Sequence, residues 1–213
     1  MREDVLVVSQ GFNALARPLA GVKKYEQKFD VWDRHGTPLG HVEPTFKDTA
    51  ASKLFRFFFA VLFTSSTARN SLDYRLVDKL GNVELVLEIR NRALFVKDAA
   101  GELIGSILNT SGPSRLEATF YAEPPASRLF QKDPPTIAML NDKVDRPPYV
   151  YELKRPDGAV FARVTNPEMD GRKNTLEIVD GSDPRLRALA LGFSCGLVDR
   201  VWLRVPQYSG GDA

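Results

Sequence analysis

The stretch Asp183–Val198, DPRLRALALGFSCGLV, decides how the rest of the chain is read. Asp183 is a helix-capping residue type, and Pro184 suits the first helical position, where a missing N–H costs nothing. After Arg185 and Arg187 come eleven residues without a charge, Ala188 to Val198. Leu186, Leu189, Leu191, Phe193, Leu197 and Val198 do not share one face, and a helix that is apolar all round belongs in a core or a membrane. Crossing a bilayer takes about 20 apolar residues, and this run stops at Asp199 and Arg200. The stretch therefore predicts a buried helix, with Leu186, Leu189, Leu191, Phe193 and Leu197 in the core. Burying its six large side chains is worth about 9–18 kcal/mol gross, before chain entropy is subtracted. No other segment has so strong a helical signal, so the remaining elements are read as strands around it.

The strands announce themselves by a repeated hairpin. Tyr25, Phe29 and Val31 alternate with Glu26, Lys28 and Asp30, the period of a half-buried strand. Asp33-Arg34-His35-Gly36 then reads as a turn, and Leu39, Gly40 and Val42 begin the return strand. The set Val31, Asp33, Gly36, Leu39, Gly40 and Val42 recurs at constant offset as Val96, Asp98, Gly101, Ile104, Gly105 and Ile107. A looser copy runs Leu76, Asp78, Gly81, Leu87; another runs Leu153, Gly158, Phe161, Val164, with Asp157 just before its glycine. Irregular spacing between copies argues against a stacked solenoid and for a meander of hairpins closing into one barrel. The apolar helix would plug the lumen, and inward strand residues would pack on Leu186, Leu189, Phe193 and Leu197. Gly192 and Gly196, a G-x-x-x-G pair, would let the strands approach the helix closely.

Further strands are expected at Val5–Val8, Leu116–Ala122, Tyr149–Leu153 and Thr175–Val179, with a short terminal strand at Val201–Val205. Gly11–Gly21 reads as a loop. Pro124, Pro125, Pro134 and Pro135 bracket another, since proline cannot donate to a ladder. Residues 1–205 form one domain in this reading, and 206–213 a flexible tail.

Bulk numbers agree with a globular chain. Of 213 residues, 43% are hydrophobic and 26% charged, and the net charge is +2. That balance gives no mandate for nucleic acid. Cys195 is the single cysteine, so no internal disulfide forms, and its place in the apolar helix makes it a core residue. The N-terminal apolar run is four residues long, too short for a signal peptide. A cytoplasmic protein is expected.

Between the first two hairpin copies lies Lys47–Arg69, centred on KLFRFFFAVLF. Lys47, Lys53, Phe55, Arg56, Phe58, Phe59 and Arg69 form a basic-aromatic set. One reading dips it into a lipid interface. The other uses it to cover one end of the barrel, its aromatics in the core.

Motifs for chemistry are mostly missing. His35 and His41 have no cysteine or carboxylate at zinc-ligand spacing. No G-x-S-x-G elbow, phosphate-cradling loop or dinucleotide fingerprint occurs. Asp170, Glu177, Asp180 and Asp183 cluster ahead of the helix, but their spacing does not match a Ca²⁺ loop, and turn and cap duties account for them. Neither a cofactor nor catalysis is expected.

The order of these pieces resembles a known family. It runs from the alternating strand with D-x-x-G and L-G-x-V, through the alanine- and phenylalanine-rich segment and Tyr74-Arg75-Leu76-Val77-Asp78-x-x-Gly81. The Phe95–Ile107 hairpin follows, then Leu176-Glu177-Ile178 and D-P-R-L-R-A-L-A-L. Over residues 1–203 the chain is similar to the phospholipid scramblase family, particularly its short bacterial members, which belong with the tubby-like and LURP-one-related proteins. The resemblance implies a twelve-stranded antiparallel barrel enclosing the C-terminal helix. It implies binding of phospholipids, with Ca²⁺-triggered lipid movement in the animal members. Their Ca²⁺ segment would fall near Asp170, Glu177 and Asp180. A cysteine cluster for palmitoylation is absent, because Cys195 stands alone. The expected function is a non-enzymatic module that binds anionic phospholipid or a membrane surface, peripheral at the inner face of the membrane. Lys23, Lys24 and Lys28 would add charge attraction. The alternative is a soluble interaction scaffold or small-ligand-binding barrel without a membrane role.

Overall fold

The protein's structure, a computed structural model, describes residues 4–10, 29–45, 71–90, 93–110, 115–124, 134–143, 149–166 and 173–198. Twelve strands and one helix occur among them. The strands are β1 (Val5–Gln10), β2 (Phe29–Asp33), β3 (Pro38–Pro44), β4 (Ser71–Asp78), β5 (Val83–Arg90) and β6 (Ala93–Lys97). Then come β7 (Leu103–Asn109), β8 (Arg115–Tyr121), β9 (Thr136–Lys143), β10 (Tyr149–Lys154), β11 (Val160–Asn166) and β12 (Lys173–Ile178). Helix α1 spans Pro184–Val198.

Each strand pairs with its chain neighbour, antiparallel throughout, and β1 meets β12 to close the barrel. The closing pair runs from Val5 opposite Glu177 to Ser9 opposite Lys173. Closure leaves no sheet edge to aggregate. Alternation sets what faces inward. Leu6, Val8, Phe29, Val31, Val42, Leu76, Leu87, Ile89, Leu94, Val96, Ile107, Phe120, Leu153, Val164 and Leu176 form one continuous core.

Helix α1 lies inside this barrel. It packs against β5, β6 and β7 and also against β11, β12 and β1, on the far side of the ring. Leu186, Leu189, Ala190, Leu191, Phe193 and Cys195 are all buried, as an all-round apolar helix requires. Phe193 meets Phe120 of β8 with ring centroids 5.8 Å apart. Leu197 belongs to the helix backbone, but its side chain lies outside the described residues. Gly192 supplies the expected close approach: a Cβ there would sit 2.7 Å from Val96 Cγ2. From the wall, Gly105 does the same, its Cβ position falling 3.2 Å from the Leu189 methyls and 2.6 Å from the Tyr121 carbonyl.

Outward positions carry charges paired across strands. Glu43 meets Arg75 between β3 and β4; Arg90 bridges Asp73 and Glu88; Lys97 binds Glu88; Arg163 reaches both Glu152 and Glu177. A barrel that crosses a bilayer turns an apolar band outward and a polar lumen inward. This wall has the opposite polarity.

One sequence expectation changes. Strand β9, Thr136–Lys143, fills the interval after the paired prolines where no element is legible. Its inward residues include the small Ala138 beside Leu140, so alternation is weak in sequence although both are buried. Strand β2 is described only from Phe29, so Tyr25–Lys28, like Val201–Val205, lies outside the described residues.

Candidate functional site

Antiparallel order sorts the barrel's two rims. The four glycine-turn hairpins (β2–β3, β4–β5, β6–β7, β10–β11) lie at one rim, and the chain passes from β12 into α1 there too, while the two-residue link from β5 to β6 lies at the other. The long connections 11–28 and 46–70 leave and return at the opposite rim.

The turn rim is built from one device repeated. Asp33 Oδ1 accepts the N–H groups of His35 and Thr37, each at 2.8 Å. Asp78 Oδ1 does the same for Leu80 and Asn82, and Asp98 Oδ1 for Ala100 and Glu102. Gly36, Gly81 and Gly101 take φ between +80° and +88°, the left-handed region that closes a turn followed by a one-residue bulge. The register slips just before each of these turns. The fourth hairpin keeps the backbone form, with Gly158 N donating to Arg155 O, but places an arginine where the others have aspartate. Asp157 Oδ1 takes over by accepting the Ala159 N–H.

Arg155 is thereby released for another duty. Its guanidinium reaches Asp180 Oδ2 at 2.7 Å and ties the β10–β11 turn to the segment leading into α1. Hydrogen bonds from Ser182, hydroxyl first and then amide, with the Arg155 guanidinium beside them, hold the Asp180 carboxyl down at about 2. The Thr37 amide keeps the Asp33 carboxyl below its ordinary range, and Asn82 does so for Asp78. Asp183 caps the helix, its Oδ1 accepting from Arg185 N at 2.8 Å and Leu186 N at 3.3 Å. Arg187 reaches Asp4 at 3.5 Å.

The carboxylates set aside for a cation are thus occupied by other partners. Asp180 serves Ser182 and Arg155, Glu177 faces Arg163 on the wall at 3.8 Å, and Asp170 lies outside the described residues. Among the described residues no three His, Cys, Asp or Glu side chains converge on a point where a metal would sit.

The basic-aromatic set lies outside the described residues. Lys47, Lys53, Phe55, Arg56, Phe58, Phe59 and Arg69 all fall in 46–70, and Lys23, Lys24 and Lys28 in 11–28, outside the described residues. Their anchors are described. Thr45, after β3, donates through its N–H to Asp73 O at 2.8 Å and through its hydroxyl at 3.0 Å, so the 46–70 connection starts and ends on paired strands. Together the two connections carry eight Lys and Arg against Glu26 and Asp48.

Among the described residues little space remains inside the barrel. A cavity of about 10 Å³ lies at the connection-rim end, among Phe29, Val42, Tyr74, Leu87, Ile89 and Cys195. That is about the room one water needs, far below the roughly 300–1,000 Å³ of a ligand pocket. Burial pushes the Cys195 thiol up to about 12. On β12, Asn174 is fully buried and donates to Ser194 O on the helix at 3.1 Å. Asn174 Oδ1 and Ser194 Oγ find no partner among the described residues. Neither an arginine in place of the turn aspartate nor a lone inward asparagine stands out in sequence; the one available signal for Arg155 is the missing aspartate three residues before Gly158.

No family model matches the chain, and no curated protein matches it in sequence. A protein of Arabidopsis thaliana, AT5G01750, known from an X-ray structure, aligns over 92% of both chains at 13% identity with a TM-score of 0.49. Among the described residues no helix is long and apolar enough to cross a membrane.

Proposed function

We propose that this chain is a non-enzymatic module that binds an anionic phospholipid surface, as a relative of the scramblase-like and tubby-like barrels that its motif order resembles. One observation carries the reading: the topology brings both basic connections, 11–28 and 46–70, out of the same rim. Basic residues near an anionic bilayer contribute about 1 kcal/mol each, and aromatic residues among them add interfacial burial. The charged outer wall supports attachment at a surface over passage through a bilayer by strands. The filled lumen counts against the reading as a small-ligand barrel.

Co-sedimentation with liposomes tests this. Vesicles of phosphatidylcholine with phosphatidylserine should pellet the protein, vesicles of phosphatidylcholine alone should pellet it poorly, and raising salt should release it. Absence of pelleting with either composition removes the membrane reading and leaves the interaction scaffold.

A further inference from the structure

We infer that two copies of this chain associate through the outer wall of β12 and β1, face to face about a two-fold axis at Thr175, independently of the membrane reading above. Strand register sorts the outward side chains into rows around the ring. One row runs Val150, Thr165, Thr175, Val7 and Trp32, each opposite the next on the neighbouring strand. It contains no charge, and all five residues are at least partly open to solvent, with Val150 49% exposed. Charged rows border it. Glu152, Arg163 and Glu177 lie on the side of the turn rim, and Lys173 and Asp30 on the other side.

Another stretch of wall low in charge, on β7 and β8, is already covered by the chain itself. Ser106 and Tyr121 are buried there, and Ser106 Oγ donates to Glu123 O at 2.6 Å, so the segment after β8 folds back over it. The row through Thr175 stays open.

Strand β12 identifies the occupant. It turns Lys173, Thr175 and Glu177 outward, a cation and an anion placed symmetrically about an uncharged centre. At about 3.3 Å per residue the two charges stand roughly 13 Å apart, too far to pair within one strand. Among the described residues Lys173 has no ion-pair partner, and Glu177 reaches Arg163 only at 3.8 Å, with 52% of its side chain exposed. A second copy laid on this wall, its β12 antiparallel to the first, sets each Lys173 over the partner's Glu177. Thr175 then meets the partner's Thr175 on the axis, and Val7 the partner's Val7 one strand away. Stacked parallel, the same walls would set Glu177 against the partner's Glu177, so charge selects the antiparallel pose. Barrel walls are convex, which limits contact to about four strands, roughly 20 Å by 20 Å, or about 400 Å² per copy, half of a standard interface. The dimer is therefore weak and depends on concentration.

Sedimentation velocity on the full chain reads it. The parent protein should pass from monomer towards dimer between micromolar and millimolar concentration. Lys173→Glu alone and Glu177→Lys alone should each weaken association about tenfold or more, because each places like charges across the axis. Mixed one to one, the two variants should associate again, since each then meets opposite charge on its partner; this recovery separates a lost contact from a lost fold. Protein that stays monomeric throughout that range overturns the inference. So does a dimer indifferent to both reversals, or a mixture that fails to recover.

Discussion

Gly192→Val puts the placement of the helix to a test of sign. On a helix exposed to solvent, replacing glycine by valine removes a residue that costs about 0.8–1.0 kcal/mol relative to alanine and installs a moderate helix former, a net gain of a few tenths. Inside the barrel the balance reverses. The new Cβ arrives 2.7 Å from Val96 Cγ2 and 3.3 Å from Leu87 Cδ2, and valine adds two methyls beyond it. Val96 is fully buried, β-branched and rooted in β6 between β5 and β7, so it has no rotamer to escape into. Overpacking of this kind costs about 1–3 kcal/mol, and three added carbons place this case at the upper end. The expected net result is a loss of about 2–3 kcal/mol, a large share of the roughly 5–15 kcal/mol that holds a domain folded. Urea unfolding monitored by tryptophan fluorescence gives the number from the midpoint at unchanged slope. A variant as stable as the parent, or more so, would mean that Gly192 does not face the wall and that the lumen argument is wrong.

Truncating Phe193 to alanine should cost about 3–5 kcal/mol, because a fully buried ring that meets Phe120 is lost, whereas Leu80→Ala, 78% exposed at a turn tip, should stay within about 0.5 kcal/mol on the same urea curves. Asp180 has a folded pKa of about 2, below its ordinary 3.8, so folding favours its ionised form. Its contribution is complete above about pH 4 and disappears as pH falls towards 2; Asp180→Asn should flatten that part of the acid-stability profile, and a profile unchanged by the substitution would contradict the Ser182 and Arg155 contacts. Cys195 should resist a thiol reagent in native protein at pH 8 and react once urea is added, since burial raises its pKa to about 12 and closes access. Gly101→Val, forced to φ +88°, should lose about 1–2 kcal/mol by thermal unfolding even though nothing lies within 4 Å of its Cβ position.

The polarity of the wall links fold to function. The same alternation that fills the lumen with Leu, Val and Phe puts Glu88, Arg90, Lys97 and Arg163 outside. With the wall charged and the interior occupied by α1, the proposed binding would fall to the rims, where loops tolerate variation that strands do not.

Much of this architecture can be read before folding. The helix is legible because eleven uncharged residues cannot be hidden on one face, and the hairpins because aspartate and glycine at fixed spacing encode a turn locally. Both signals are short-range. Strand β9 escapes because Ala138 buries too little side chain to mark an inward position. Closure of β1 on β12 joins residues about 170 apart in sequence, and no local pattern specifies a partner at that range. The bond from Arg155 to Asp180 and the niche for Gly192 beside Val96 likewise exist only in the assembled tertiary structure. Residue types and spacings carry local geometry; which side chains end up as neighbours is decided by the way the strands assemble around the helix.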